Sequence, residues 1–264
     1  PYVDLIRNPR HGYGKNSNPC IDCKIFMLNE AKKVMQELEA PFIVTGEVLG
    51  QRPMSQRRDT LNIIERDSGL RGMILRPLSA AVLPPTRAEQ DGLVDRSRLL
   101  GISGRGRTVQ FRLAERYGIH GFSTPAGGCL LTDKNFSDKL QDLFQTQERV
   151  SLADIRLLTV GRHFRLRAGL RIVLGRNRGE NKVLTDIAPN GFHLFVPHGF
   201  PGPVALLSGT PTAEIRQAVG RLIITYSKHL PGQTKRIRFG AELFDPGEPL
   251  PISSLGLVRL GADH

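Results

Sequence analysis

The chain has 264 residues, 39% of them hydrophobic and 23% charged, with a net charge of +12 and a pI of about 10.2. That balance excludes large-scale disorder. There is no run of about 18 apolar residues and no signal-peptide pattern, so the expectation is a cytoplasmic protein with no membrane span and no membrane partner. The positive charge predicts a polyanion, with RNA or DNA ahead of a membrane surface.

In chain order, "DCKIFMLNEAKKVMQELEA" (22–40) has the period of a helix with Ile25, Leu28, Val34, Met35 and Leu38 on one face. "PFIVTGEVLG" reads as a buried strand emptying into a loop. "MSQRRDTLNIIERDSG" is a second helix, stopped at Gly69, and "GMILRPLSA" a second strand. Alternating helix and short apolar strand predicts an α/β layer with a mostly parallel sheet. "AAVLPPTRAEQDG" is a Pro-stiffened loop. "GRGRTVQFRLAERYGI" is a basic helix with Val109, Leu113 and Tyr117 on one face. "FSTPAGGC" is a loop, and "NFSDKLQDLFQT" a helix that ends the first unit.

The pattern then changes. "LLTVGRHFRLRAGLRIVLGRN" predicts two strands turning at Ala168-Gly169. "GFHLFVPHG" and "GPVALLSG" are further strands, and "TPTAEIRQAVGRLIITYSKHL" is a helix capped by Thr212 with Ile215, Val219, Leu222 and Ile223 inward. "TKRIRFGAEL" is a last strand. The expected architecture is a Rossmann-like α/β domain over residues 1–148, followed by a small α+β domain over 149–264.

The three cysteines are reduced thiols in this reading, because a secreted disulfide scaffold carries more, in even number. Cys20 and Cys23 form a C-x-x-C at a helix start, which suits thiol redox chemistry, zinc or an iron–sulfur cluster. Structural zinc needs a fourth ligand, for which His11 or His120 is the candidate. Cys129 lies in "PAGGC", a loop where backbone can approach a ligand closely. Three thiolates from two loops also suit a cuboidal [4Fe–4S] cluster with one iron left open.

"GYGKNSNPCIDCKIFML", "FIVTGEVLGQRPMSQ" and "TPAGGCLLTD" together resemble the tRNA-thiolating branch of the PP-loop ATP pyrophosphatases, over roughly residues 1–145. The resemblance implies ATP-dependent replacement of a tRNA base oxygen by sulfur, with sulfide or a sulfur carrier as donor. It implies a catalytic [4Fe–4S] cluster held by Cys20, Cys23 and Cys129, or alternatively persulfide chemistry without a cluster. The family's "TG...LGQ..SQ" element places Gly46, Glu47, Gln51, Ser55 and Gln56 at a cofactor. The family's S-G-G-x-D-S signature is not in the sequence, and neither is G-x-x-x-x-G-K-[ST]. The chain, starting at Pro1, is therefore expected to be the family minus its first βα segment, with ATP and Mg2+ bound in the complete enzyme.

"GLRIVLGRNRGENKVLT", "FHLFVPHGFPGPVALLSG" and "AVGRLIITYSK" resemble the RNA-binding domain of the NFACT ribosome-quality-control proteins, over about 155–240. Between Arg149 and Lys182 stand nine Lys/Arg against two acids, a patch that attracts phosphates. Arg162, Arg165, Arg167, Arg171, Arg176, Asn177, Arg178 and Asn181 are the candidate RNA contacts there. Arg105 and Arg107, flanking Gly106 before a helix, suit an anion as well. Arg57 and Arg58 could meet phosphate, and His11 and Lys15 a substrate. Glu47 could contact a base or a metal, or cap the next helix, and Ser55 could be a helix cap. The combined expectation is a tRNA sulfurtransferase of the 2- or 4-thiouridine type, with tRNA and a second copy of the chain in a homodimer as partners. The alternative is a non-catalytic RNA-binding protein whose cysteines hold zinc or nothing.

Overall fold

The computed structural model describes residues 1–122, 129–166, 169–188, 191–228 and 234–261. The chain divides into two compact units, Pro1–Cys129 and Leu130–His264.

In the first unit α1 (Tyr2–Arg7) precedes the long α2 (Cys20–Glu37), then β1 (Ile43–Val44), α3 (Arg58–Asp67) and β2 (Ile74–Leu75). The two strands are parallel, pairing Ile43 with Ile74 and Val44 with Leu75. The core forms where α2 and α3 meet the strands: Leu28, Met35, Ile64, Leu70 and Ile74 are buried, with Ile21, Ile25 and Ile43 against them. That stripe follows the 3–4-residue spacing of a helix face. Val34 and Leu38 fall off it and lie in solvent, 52% and 73% exposed, against the sequence expectation. β1 is likewise only half-covered, since Val44 faces outward.

The segment expected as a Pro-stiffened loop holds a 3-10 turn at Ala80–Val82 and a one-turn α4 (Arg87–Gln90). Its start is a capping box, in which the Glu89 carboxylate accepts from the Thr86 backbone N–H and hydroxyl. α5 (Thr108–Arg116) forms as expected but buries no residue, because Val109 and Tyr117 point into solvent.

The second unit begins earlier than residue 149. α6 (Lys134–Thr146) packs against its last strand rather than closing the first unit. Then come α7 (Leu152–Leu157), β3 (Arg162–Leu166), β4 (Arg171–Leu174), α8 (Arg178–Ile187), β5 (Phe192–His198), β6 (Ala205–Ser208), α9 (Ala213–Thr225), β7 (Arg236–Phe239), β8 (Glu242–Phe244) and β9 (Leu257–Leu260). β7 is therefore not the last strand. Among the described residues the strands form one seven-stranded antiparallel sheet, ordered β8-β7-β5-β6-β4-β3-β9.

Alternation along the strands gives this sheet two buried faces. Phe164, Ile172, Leu174, Phe195, Leu207 and Ile237 pack with Val219, Leu222 and Ile223 of α9. Val173, Val204 and Leu206 pack on the other face with Leu157 of α7 and Leu184 of α8. Thr212 caps α9 by accepting the Ile215 N–H at 3.3 Å. The chain as a whole is a mixed α/β fold, with a small parallel sheet and a larger antiparallel one. Among the described residues no helix is long and apolar enough to cross a membrane.

Candidate functional site

The cysteine loop is built on the start of α2. Pro19 occupies its N-cap without a side-chain cap, so the first-turn N–H groups and the positive helix end face the C-x-x-C. Asn18 is buried, and its amide donates to the Cys20 sulfur at 3.2 Å while its carbonyl oxygen accepts the Asn16 N–H at 3.1 Å. Its backbone carbonyl accepts the Gly14 N–H at 2.9 Å. A Cβ on Gly14 would collide with the Asn18 amide, so glycine is what lets the loop close.

His11 ties the same loop down. Its ring Nδ1 lies 3.0 Å from Asp22 of α2, its Nε2 3.0 Å from Asp67 at the end of α3, and its backbone N–H donates to Asp22 at 3.0 Å. His11 thus serves the loop's architecture through two carboxylates.

Tyr2 of α1 leans on Phe26, with ring centroids 5.4 Å apart, and its hydroxyl is 3.3 Å from the Cys23 sulfur. Its phenol is held above the ordinary tyrosine range, first by burial, then by the hydrogen bond to Cys23, then by the charges of Cys23, Cys129 and Cys20. Among the described residues none of the three cysteines is in a disulfide. Cys129 is exposed, and the residues just before it, 123–128, lie outside the described residues. Among the described residues no three His, Cys, Asp or Glu side chains are drawn together as ligands of one metal ion. The soft sulfur donors nonetheless match the ligand chemistry of an iron–sulfur cluster, which thiolates hold.

The segment matching "TG...LGQ..SQ" leaves the C-terminal end of β1, where open parallel sheets place their ligands. Gly46 is exposed there and has nothing within 4 Å of an added Cβ. Glu47 is buried and committed inward. Its carboxylate meets Arg76 Nε at 3.1 Å and Lys24 Nζ at 3.2 Å, and accepts from the Thr45 hydroxyl at 3.3 Å. Arg76 in turn reaches Glu65 on α3 at 2.5 Å. Glu47 therefore neither caps a helix nor faces solvent; it joins α2 to the strand ends. Ser55 is buried as well and is not a helix cap, since α3 has Arg57 at that position. Gln51 Nε2 and Gln56 Oε1 are buried without hydrogen-bond partners among the described residues. Arg57 pairs with Asp59 at 3.1 Å, and Arg58 donates to the Val82 carbonyl at 2.8 Å.

In the second unit most of the expected basic patch is spoken for. Arg171 is 2% exposed and paired with Asp154 at 3.2 Å, and burial pulls its guanidinium below the usual arginine range. It is a core ion pair, not a phosphate contact. Arg165 meets Asp142 at 2.8 Å. Arg162 lies over the Tyr226 ring at 4.9 Å. Arg176 grips Glu180; despite partial burial, those hydrogen bonds hold the Glu180 carboxyl below the ordinary range. Asn177 caps α8 by accepting the Glu180 N–H at 3.0 Å. Asn181 bridges to the next segment, donating to the Gly202 carbonyl at 3.2 Å and accepting the Val204 N–H at 3.0 Å. Arg167 lies outside the described residues.

What stays exposed without an acidic partner among the described residues is Arg149, Arg156, Arg178 at the start of α8 and Lys228, with Arg236 and Arg238 on β7. The latter two were missed in the sequence. Their signal is the alternation Arg-Ile-Arg, which sends Ile237 into the α9 core and both arginines to the opposite face. Arg105 and Arg107, beside α5, likewise have no acidic partner among the described residues.

Comparison with known proteins agrees with both resemblances. Residues 161–243 match the family model of the NFACT protein RNA binding domain. No curated protein matches the chain. A solved structure, the C-terminal of the fibronectin/fibrinogen-binding protein from Streptococcus suis, aligns over 92% of this chain and 91% of that one, at 13% identity and a TM-score of 0.27. Residues 2–82, which carry the C-x-x-C and both parallel strands, match the family model of the thiamine biosynthesis protein ThiI, so the two matches fall on different parts of one chain.

Proposed function

We propose that the protein takes part in tRNA thiolation as a sulfurtransferase, with Cys20, Cys23 and Cys129 as the sulfur-handling residues. The observation that carries this is the match of residues 2–82 to the ThiI model, with the C-x-x-C at the start of α2, where Asn18 meets the Cys20 sulfur at 3.2 Å and the Tyr2 hydroxyl the Cys23 sulfur at 3.3 Å. In this reading Cys20, Cys23 and Cys129 would hold a [4Fe–4S] cluster, which when bound would supply an open iron as Lewis acid for the incoming sulfur. The chain's own residues do the rest. The α2 N-terminus and the Asn18 amide stabilise negative sulfur at Cys20, and the Tyr2 hydroxyl does so at Cys23. His11 keeps the loop in register through Asp22 and Asp67.

ATP adenylates the base carbonyl oxygen and releases pyrophosphate, and the oxygen then leaves with AMP as sulfide adds to the carbon. The exposed backbone at Gly46, at the C-terminal edge of β1, is the ATP-facing surface of this chain, with Gln51 and Gln56 behind it; Mg2+ accompanies the nucleotide. Glu47 and Ser55 support that segment from below. The second unit binds tRNA through Arg178, Arg236 and Arg238, whose unpaired charge releases counterions from phosphate. A cytoplasmic location follows from the tRNA substrate.

The test is anaerobic purification and reconstitution of the full-length protein, with iron and sulfide analysis, and nucleoside analysis of tRNA from cells lacking the gene. Iron near four per chain, lost in Cys20→Ser, Cys23→Ser and Cys129→Ser, together with a missing thionucleoside, is the expected result. Substoichiometric iron with the thionucleoside still missing would replace the cluster by persulfide chemistry. An unchanged tRNA profile would leave only an RNA-binding protein.

A further inference from the structure

α5 buries nothing, yet its sequence is not that of a solvated helix. Phe111 and Phe122 are 47% and 49% exposed, and their rings face one another with centroids 6.0 Å apart. Tyr117 and Ile119, between them in the chain, are exposed too. Leaving such area in water costs about 25 cal/mol per Å2, so a cluster of exposed rings marks a contact surface.

The charge around the rings says what kind of contact. Residues 105–122 hold four arginines, Arg105, Arg107, Arg112 and Arg116, against the single acid Glu115. None of the four has an acidic partner among the described residues, and Arg116 only lies over the Tyr117 ring at 5.8 Å. This contrasts with Arg165, Arg171 and Arg176, each held by a carboxylate. Four positive charges against one acid around the rings call for a polyanionic partner, as phosphate backbones are. Unstacked nucleotides accept both features at once, since aromatic rings and guanidinium planes stack on bases while the arginines meet phosphate.

We infer that residues 105–122 form a stacking surface for unpaired nucleotides of RNA, with Phe111 and Phe122 as the platform and Arg112 and Arg116 as phosphate contacts. This rests on the tRNA reading above and adds to it a contact in the first unit. The rings being outside any core, their removal leaves the fold intact.

The experiment measures binding of the full-length protein to a single-stranded oligoribonucleotide, to tRNA and to an RNA duplex, with vesicles of phosphatidylglycerol and phosphatidylcholine as a fourth probe. Phe111→Ala with Phe122→Ala should weaken single-strand binding roughly tenfold or more and leave its salt slope unchanged. Replacing both rings by Tyr should retain it, and duplex binding should change little. Arg112→Gln with Arg116→Gln should lower the salt slope by about 1.4, which is 0.7 per lost phosphate contact on a single strand. Wild-type affinity for single strands in the ring variant would overturn the inference while leaving the tRNA reading intact. Loss of vesicle binding with RNA binding unchanged would overturn it in favour of a lipid surface. A wild-type protein that binds no RNA would remove both readings.

Discussion

The Tyr2 hydroxyl lies 3.3 Å from the Cys23 sulfur, joining the first helix of the chain to the C-x-x-C that opens the second. Burial and then the bond to Cys23 raise the phenol's pKa, so Tyr2 keeps its proton and is the donor whenever Cys23 is a thiolate. Tyr2→Phe keeps the ring against Phe26 and removes only that bond. The expected loss is about 1 kcal/mol in urea unfolding. The raised pKa also means that the native state holds this proton more tightly than the unfolded chain. The contribution is therefore complete below about pH 10 and fades as pH rises beyond it. Tyr2→Phe should lack that alkaline decline, and parallel curves for the two proteins would contradict the assignment.

Gly14→Ala tests the loop closure. The new methyl must displace the Asn18 amide, which is buried and bonded to Cys20. The expected cost is about 1–3 kcal/mol, that of leaving a buried polar group unsatisfied. Thermal unfolding checks it. Gly106→Ala, where a Cβ meets nothing within 4 Å, is the control that should stay within about 0.5 kcal/mol of the parent.

His163 on β3 gives an acid signature to the second unit. Burial, then the charge of Lys139, push its pKa down to about 3, and its Nε2–H donates to the Val160 carbonyl at 2.9 Å. A depressed folded pKa means stability that is whole above about pH 6.5 and is lost as pH falls, because only the unfolded chain takes up the proton. Between pH 7 and pH 5 the loss should be about 2 kcal/mol larger than in His163→Gln, which keeps a donor without the titration. Denaturant unfolding at the two pH values decides it.

Arginines that look alike in the sequence should part company on mutation. Arg171→Ala strands Asp154 and should cost about 3–5 kcal/mol of stability, because it breaks a buried pair. Arg178→Gln, Arg236→Gln and Arg238→Gln should leave stability within about 0.5 kcal/mol. Together they should lower tRNA affinity and flatten its salt dependence. Equal tRNA affinity in the triple variant would take these residues out of the interface.

The element types were legible because local periodicity sets them. The stripe Ile25, Leu28, Met35 predicts α2, and Arg-His-Phe-Arg-Leu predicts β3, before any tertiary contact exists. The same periodicity misassigned Val34 and Leu38, because which apolar residues are covered depends on where α3 and the strands lie against the helix. Pairing of the two parallel strands, β8 and β9 beyond the expected last strand, and the placement of α6 in the second unit were beyond local pattern for the same reason.

By itself, the sequence determined the C-x-x-C at a helix start, the two family resemblances and the excess of positive charge. Only the tertiary structure decided which charges are free. Asp154, Asp142 and Glu180 neutralise Arg171, Arg165 and Arg176, two of them from positions more than fifteen residues away, while the arginines of α5 and β7 have no acidic partner among the described residues. It also decided that Tyr2 and Asn18 serve the cysteines, and that Glu47 is an internal ion-pair partner. The physical reason is that charge compensation and burial are properties of neighbours in space, which residue type and local spacing do not specify.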